Sequence, residues 1–264
     1  MPPAQCGVCV ISVDLGNSDA GRVAAGRQTA PLAAETLARL NEAGWAATWS
    51  LGPAVDPAWI ETARHAGAGH ELAILSNLDW YSVDNHRGCF SQQLSDRLQA
   101  AQAAGYSPTT LALPAGHLAE HLDLLVKHGI SAVRTTRNSE SHGWRNWRRW
   151  LRPSRPRSEQ PQSLRWGLWE FDGSLSLVRQ GLRRASQALS TAAAEGGLAH
   201  VVVSLDQLAG QGAAGWKQFD RLVAQATGLR ERQSIQAQTI AGVVASLSRT
   251  RHGAAARSIL RPAA

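Results

Sequence analysis

The chain reads as an α/β protein, a distorted barrel of the (β/α)7 type forming a single domain over residues 1–250. Three observations predict this. Apolar, β-rich runs recur at 6–13, 46–51, 71–75, 109–113, 130–135, 164–171 and 200–205. Most of the gaps between them carry helical periodicity, and strands alternating with helices imply parallel β-structure joined by right-handed crossovers. The charge outside one segment is balanced. About seven strands in such a near-neutral body favour a closed or nearly closed barrel over an open sheet.

The elements follow in order. The first strand is apolar and runs into Asp14, where Leu15-Gly16-Asn17 turns the chain. Cys6 and Cys9 form a C-x-x-C at this strand. Two sulfurs do not make a zinc site and no second pair follows, so both read as small buried hydrophobes. Leu32, Leu37 and Leu40 line one face of a helix closed by Gly44; Phe90, Leu94 and Leu98 do the same before Gly105. Leu118, Leu122, Leu125 and Val126 lead to Gly129, which places His117, His121 and His128 on one helix. Glycine at each of these ends takes the left-handed closing conformation without penalty. Further helices are expected over 177–195, through Trp216, Phe219, Leu222 and Val223, and over 235–247. The stretch 251–264 reads as a flexible Ala/Arg-rich tail.

With 264 residues, 44% of them hydrophobic, the chain has ample material for a core. Its composition excludes collagen-like, disordered and disulfide-scaffold classes. No apolar run approaches the roughly 18 residues that span a bilayer. Residues 1–5 carry no positive charge and the apolar stretch after them is short, so a secretory signal is not expected and a cytoplasmic location is.

The formal charge is +7, and it is unevenly placed. Residues 134–165 hold nine arginines against Glu140 and Glu159, which accounts for the whole excess. The chain is therefore not a uniformly basic coat for nucleic acid. It is a neutral body with a basic, Arg- and Trp-rich surface insertion at about 136–163, between the fifth and sixth strands. Trp144, Trp147 and Trp150 stand three residues apart among Arg145, Arg148, Arg149 and Arg152. That pattern fits tryptophans packed over the barrel with solvated arginines. It also fits an anionic surface or sugar, and fits nucleic acid less well.

In a parallel barrel, ligands meet the loops at the C-terminal ends of the strands. Asp14, Asp79 and Asp206 follow the first, third and last strands, Pro114-Ala115-Gly116 follows the fourth, and His70 precedes the third. Asp14 leaves an apolar strand for a glycine turn. That is the place for a catalytic or metal-binding carboxylate, or for one that caps the turn. No Gly-x-Ser-x-Gly elbow, phosphate loop or dinucleotide fingerprint is present.

The order of these segments resembles the polysaccharide deacetylases, the carbohydrate esterase family with the NodB homology domain. The matching pieces are Ser12-Val13-Asp14-Leu15-Gly16, Ala47-Thr48-Trp49-Ser50-Leu51-Gly52, Gly69-His70-Glu71-Leu72, Ala112-Leu113-Pro114-Ala115-Gly116, Gly129-Ile130-Ser131-Ala132-Val133-Arg134 and Val201-Val202-Val203-Ser204-Leu205-Asp206. They span roughly residues 8–248. The resemblance implies carbohydrate metabolism and hydrolysis of a non-peptide C–N bond. In the family, one Asp and two His hold a divalent metal such as zinc, a second Asp is the base, and a late His protonates the leaving group.

The departures from that pattern are specific. Asp14 matches the base. The metal-binding Asp is replaced by Leu15, and the two metal His positions fall on Leu75 and Asp79. The fourth-strand Arg is Ala112 and the late His is Leu205. Leucine offers a metal no lone pair, so no metal cofactor is expected; His86 is the nearest substitute ligand. His70 lies in the stretch that is mainly structural in the family.

Three functional readings follow. The first is a catalytically reduced or inactive deacetylase-like protein that binds a carbohydrate or partner at the barrel mouth through Asp79, His70, Pro114, Gly116, Trp144, Trp147 and Arg148. The second is an active amide or ester hydrolase with rearranged carboxylate ligands, Asp14, Asp79 and Asp206, with Asp14 in the place of the base and Asp206 also catalytic. The third is an interaction module that docks on an anionic surface through the insertion.

Overall fold

A computed structural model describes residues 6–16, 25–53, 55–76, 86–113, 121–136, 160–173 and 175–259. The elements are β1 (Gly7–Leu15), α1 (Ala25–Glu42), β2 (Thr48–Leu51), α2 (Pro57–Arg64), β3 (Glu71–Leu75), α3 (Arg87–Ala103), β4 (Thr110–Ala112), α4 (Leu122–Lys127), β5 (Ala132–Thr135), β6 (Gln162–Ser163), β7 (Trp169–Asp172), α5 (Leu177–Glu195), β8 (Leu198–Ser204), α6 (Leu205–Gln211), α7 (Ala213–Glu231), β9 (Ile235–Ala237) and α8 (Ile240–Ile259).

The sheet runs β6-β7-β5-β4-β3-β2-β1-β8, parallel throughout except for the short edge strand β6, and β9 adds a second parallel partner to the start of β1. It curls until its two sides meet. Beyond β7, the Leu175 carbonyl accepts the Val202 N–H of β8 at 2.9 Å, and Ser176 bridges Val202. Inside the wall, His200 Nδ1 lies 3.1 Å from the Asp172 carbonyl. The nearly closed barrel that the strand count predicts is the architecture found.

Strand alternation sorts the side chains. Ile11, Val13 and Leu15 of β1, with Trp49 and Leu51 of β2 and Val201 and Val203 of β8, face outward into a cluster completed by α1, α2, α5, α6 and α7. A second outer cluster joins Ile74, Leu111 and Val133 to Phe90, Leu94, Leu124 and Leu125 of α3 and α4. The opposite parity fills the interior. At the end where the strands begin, Val10, Ala132, Trp169, Phe171 and Leu198 pack against Ile240, Val243 and Val244, so α8 closes the base of the barrel.

The N-terminus of α8 is held by the barrel itself. Glu71 Oε2 accepts the Ala241 N–H at 2.9 Å and the Thr48 hydroxyl at 2.8 Å, Thr110 donates to Oε1, and Thr48 Oγ1 accepts the Ile240 N–H at 2.9 Å. At the other end, β1 and β2 approach so closely that a Cβ on Gly52 would stand 2.4 Å from the Gly16 carbonyl oxygen; only glycine fits there.

These expectations need correction. Residues 235–237 are a strand, and the helix begins at Ile240. His121 and His128 flank α4 instead of lying on it, because the helix spans only Leu122–Lys127 and His121 adopts φ 62° before it. Residues 162–163, assigned to the insertion, form β6 against β7. The last helix also continues past residue 250 to Ile259. No helix among the described residues is long and apolar enough to cross a membrane.

Candidate site at the barrel mouth

The interior above the base is polar. Ser12 and Asp14 of β1, Thr48 and Ser50 of β2, Thr110 of β4, Arg134 of β5, and His200 and Ser204 of β8 share the inward parity, and all are buried. A polar column of this kind persists only if its members satisfy one another.

The dominant contact is an ion pair across the barrel. Arg134 Nη1 donates to Asp14 Oδ1 at 2.6 Å and Nη2 to Oδ2 at 2.8 Å, a bidentate pair whose side chains are 1% and 6% exposed. Nη1 also lies 3.4 Å from Ser50 Oγ. Room for the arginine comes from Gly173: a Cβ there would stand 3.0 Å from Arg134 Cγ and Cδ. Both oxygens of the carboxylate matched to the family's base are therefore engaged by a guanidinium fork.

Beside this pair lies a second buried contact. Ser12 Oγ and His200 Nε2 are 2.8 Å apart, and the only role open to the Asp172 carbonyl is acceptance from Nδ1. The Nδ1–H tautomer follows, with Ser12 donating to Nε2. Burial and then the charge of Arg134 push the imidazole down to about 3, against the weaker opposing effect of the Asp172 carbonyl, so the ring is neutral.

Asp206 stands in the first turn of α6, close enough to Asp14 for the two charges to interact. Its carboxyl is held above the usual range, first by burial and second by Asp14. Among the described residues, Oδ2 is buried with no donor, and Arg134 Nε is likewise buried with no acceptor.

His70 stands at the opposite end of the sheet, just before β3. Its Nδ1 accepts the Ala47 N–H at 3.1 Å and its Nε2 lies 3.1 Å from Asn41 Oδ1, so both ring nitrogens tie α1, β2 and β3 together; burial lowers its pKa. The geometry gives it a joint in the scaffold, far from Asp14. His86 is exposed at the N-cap of α3 without a capping bond. Asp79, Pro114, Gly116, Trp144, Trp147 and Arg148 lie outside the described residues.

The two described positions matched to metal ligands offer a metal no donor. Leu15, 3% exposed, packs in the outer cluster with Leu51 and Leu205, and Leu75, 1% exposed, is paired in register with Ala112. Neither has a lone pair, and Asp14 is occupied by Arg134. Among the described residues no three His, Cys, Asp or Glu side chains form a group that could hold a metal ion.

Arg134 is the site residue to which sequence reasoning gave no role. Counted only in the charge of residues 134–165, it is a fully buried residue of β5. Its register neighbour on β4 is Ala112, the position of the family's arginine, so the cation enters from one strand over. A single arginine at inward parity in an otherwise apolar strand was the available signal.

Comparison with known protein families and with curated proteins returns no match. Solved structures do match. A Mycobacterium smegmatis protein assigned as a polysaccharide deacetylase is 15% identical, with 95% of this chain and 93% of that one covered and a TM-score of 0.71. A mutant of a Bacillus subtilis peptidoglycan deacetylase is 12% identical, with 98% and 99% covered and a TM-score of 0.50. A domain of a multidomain xylanase from the hindgut metagenome of Trinervitermes trinervoides is 12% identical, with 92% and 91% covered and a TM-score of 0.50. At such identities the likeness establishes the fold alone, and that fold is the fold of the polysaccharide deacetylases.

Proposed function

We propose that this protein is a deacetylase-fold barrel that binds a carbohydrate at its mouth and has lost metal-dependent deacetylation. The observation that carries the reading is the bidentate Arg134–Asp14 pair. A base must have a lone pair free and aimed at the water it activates, whereas this carboxylate spends both oxygens on a buried guanidinium. The leucines at two of the three positions matched to metal ligands support the same conclusion. The partly exposed Asp206 at the start of α6 leaves a polar group at the mouth, suited to a sugar's hydroxyls. Three free thiols, Cys6, Cys9 and Cys89, suit a reducing compartment, and we place the protein in the cytoplasm.

The test is acetate release from N-acetylglucosamine oligomers with and without added zinc, alongside calorimetric binding of the same oligomers. Binding without acetate release is the expected result. Zinc-stimulated release that disappears in Asp14→Asn would overturn the reading.

Asp206 favours a second reading, an active hydrolase with rearranged carboxylates. Raised by burial and by Asp14, it is suited to donate a proton to a leaving group. Metal-independent acetate release abolished by Asp206→Asn is the result that would establish it.

A further inference from the structure

The mouth of this barrel carries its cation on the chain. We infer that the Arg134 guanidinium stands in for the divalent ion that the fold's relatives would hold, neutralising the Asp14 carboxylate at the end of β1 without any bound metal. This goes beyond the carbohydrate reading, although it shares with it the observation that a metal site does not fit.

Four features converge on the substitution. Two of the three ligand positions are filled by buried leucines, one of them turned into the outer core. The guanidinium crosses the interior to meet Asp14 in a two-point bond, the geometry in which arginine replaces a point charge with a fixed fork. The fold makes space for it, since Gly173 has no side chain where Arg134 passes. Its charge is also felt within the barrel, where His200 sits neutral beside Ser12.

The charge balance points the same way. Asp14 and Asp206 offer two negative charges and Arg134 one positive, so the cluster keeps a net negative charge with its cation covalently in place. A divalent ion entering here would meet a buried guanidinium at close range and would have to displace it from Asp14. Removing Arg134 reverses the situation: Asp14, within electrostatic reach of Asp206, then lacks its cation and is free to bind a metal.

The experiment measures metal uptake and thermal stability, not acetate release or sugar binding, so this inference and the carbohydrate reading can fail separately. Wild-type protein is titrated with zinc and with calcium by calorimetry and melted with and without EDTA. No one-to-one uptake and an unchanged Tm are expected. In Arg134→Ala, either ion at a hundredfold excess over its Kd raises Tm by about 5–10 °C. Adding Asp14→Asn to that background abolishes the response. Arg134→Lys, which keeps the charge, stays as indifferent to ions as wild type. Stoichiometric uptake by wild type overturns the inference, and so does a metal response in Arg134→Lys equal to that of Arg134→Ala. Should Arg134→Ala not fold, wild type still decides it, and one-to-one uptake by Arg134→Lys overturns the inference as well.

Discussion

Arg134 and Asp14 lie 120 residues apart in the chain and on strands separated by three others, yet their side chains meet head-on inside the barrel at 2.6 and 2.8 Å. The curvature of the sheet brings them together, and their bond in turn ties opposite walls of the barrel. Breaking one side of a buried pair leaves an unpaired charge, so Arg134→Met is expected to cost about 3–5 kcal/mol in urea unfolding. The double variant Asp14→Leu with Arg134→Met removes both charges and should recover most of that loss. Equal instability of single and double variants would show that packing, not charge, is what the pair supplies.

Gly173 is expected to be intolerant for a related reason. A methyl group there meets Arg134 Cγ and Cδ at 3.0 Å and the Thr135 carbonyl oxygen at 3.2 Å, tighter than ordinary van der Waals contact. Gly173→Ala should destabilise by about 1–3 kcal/mol, as overpacking of a filled interior does. Combining it with Arg134→Ala should remove most of that penalty. Full additivity of the two variants would argue against the contact.

Much of this architecture was legible in the chain. Seven of the nine strands announce themselves as apolar runs, because a barrel strand buried on both faces needs little polar alternation. The two that escaped are β6 and β9, with two and three residues, too short to carry a pattern; Ile235 reads equally well as the first apolar residue of the helix that starts five positions later. Of the site, Asp14 and Asp206 were visible as acids following strands. Arg134 was not, since its meaning depends on which face of β5 it occupies and on how far the sheet curls, neither of which is local. Its charge was counted with the arginines at 137 and beyond. His200 and Glu71 were hidden for the same reason: a polar residue within an apolar run says nothing about its partner until the opposite wall is in place.

Glu71 governs the C-terminal helix. Its carboxylate receives the Ala241 N–H and the hydroxyls of Thr48 and Thr110, three donors that an amide cannot all satisfy. Glu71→Gln turns an NH2 group toward one of those donors and should cost about 1–3 kcal/mol. Loss of protection at the Ala241 amide in hydrogen exchange, with β1 and β8 still protected, is the expected signature. Uniform loss across the barrel would instead mean that α8 and the sheet unfold as one unit.

Acid should weaken the fold through His200. The folded-state pKa of about 3 lies below the ordinary 6.5 because burial and the Arg134 charge disfavour the imidazolium. A lowered histidine pKa means that the unfolded chain binds the proton first. The contribution of the neutral ring is therefore complete above pH 6.5 and is lost as pH falls toward 3. Within that window one extra proton on the unfolded state gives a slope of roughly 1.4 kcal/mol per pH unit. Urea midpoints measured between pH 7 and pH 4 should follow it. In His200→Gln, whose amide can still reach Ser12, stability at pH 7 falls but this part of the slope disappears. A slope unchanged by the substitution would place the acid sensitivity elsewhere in the chain.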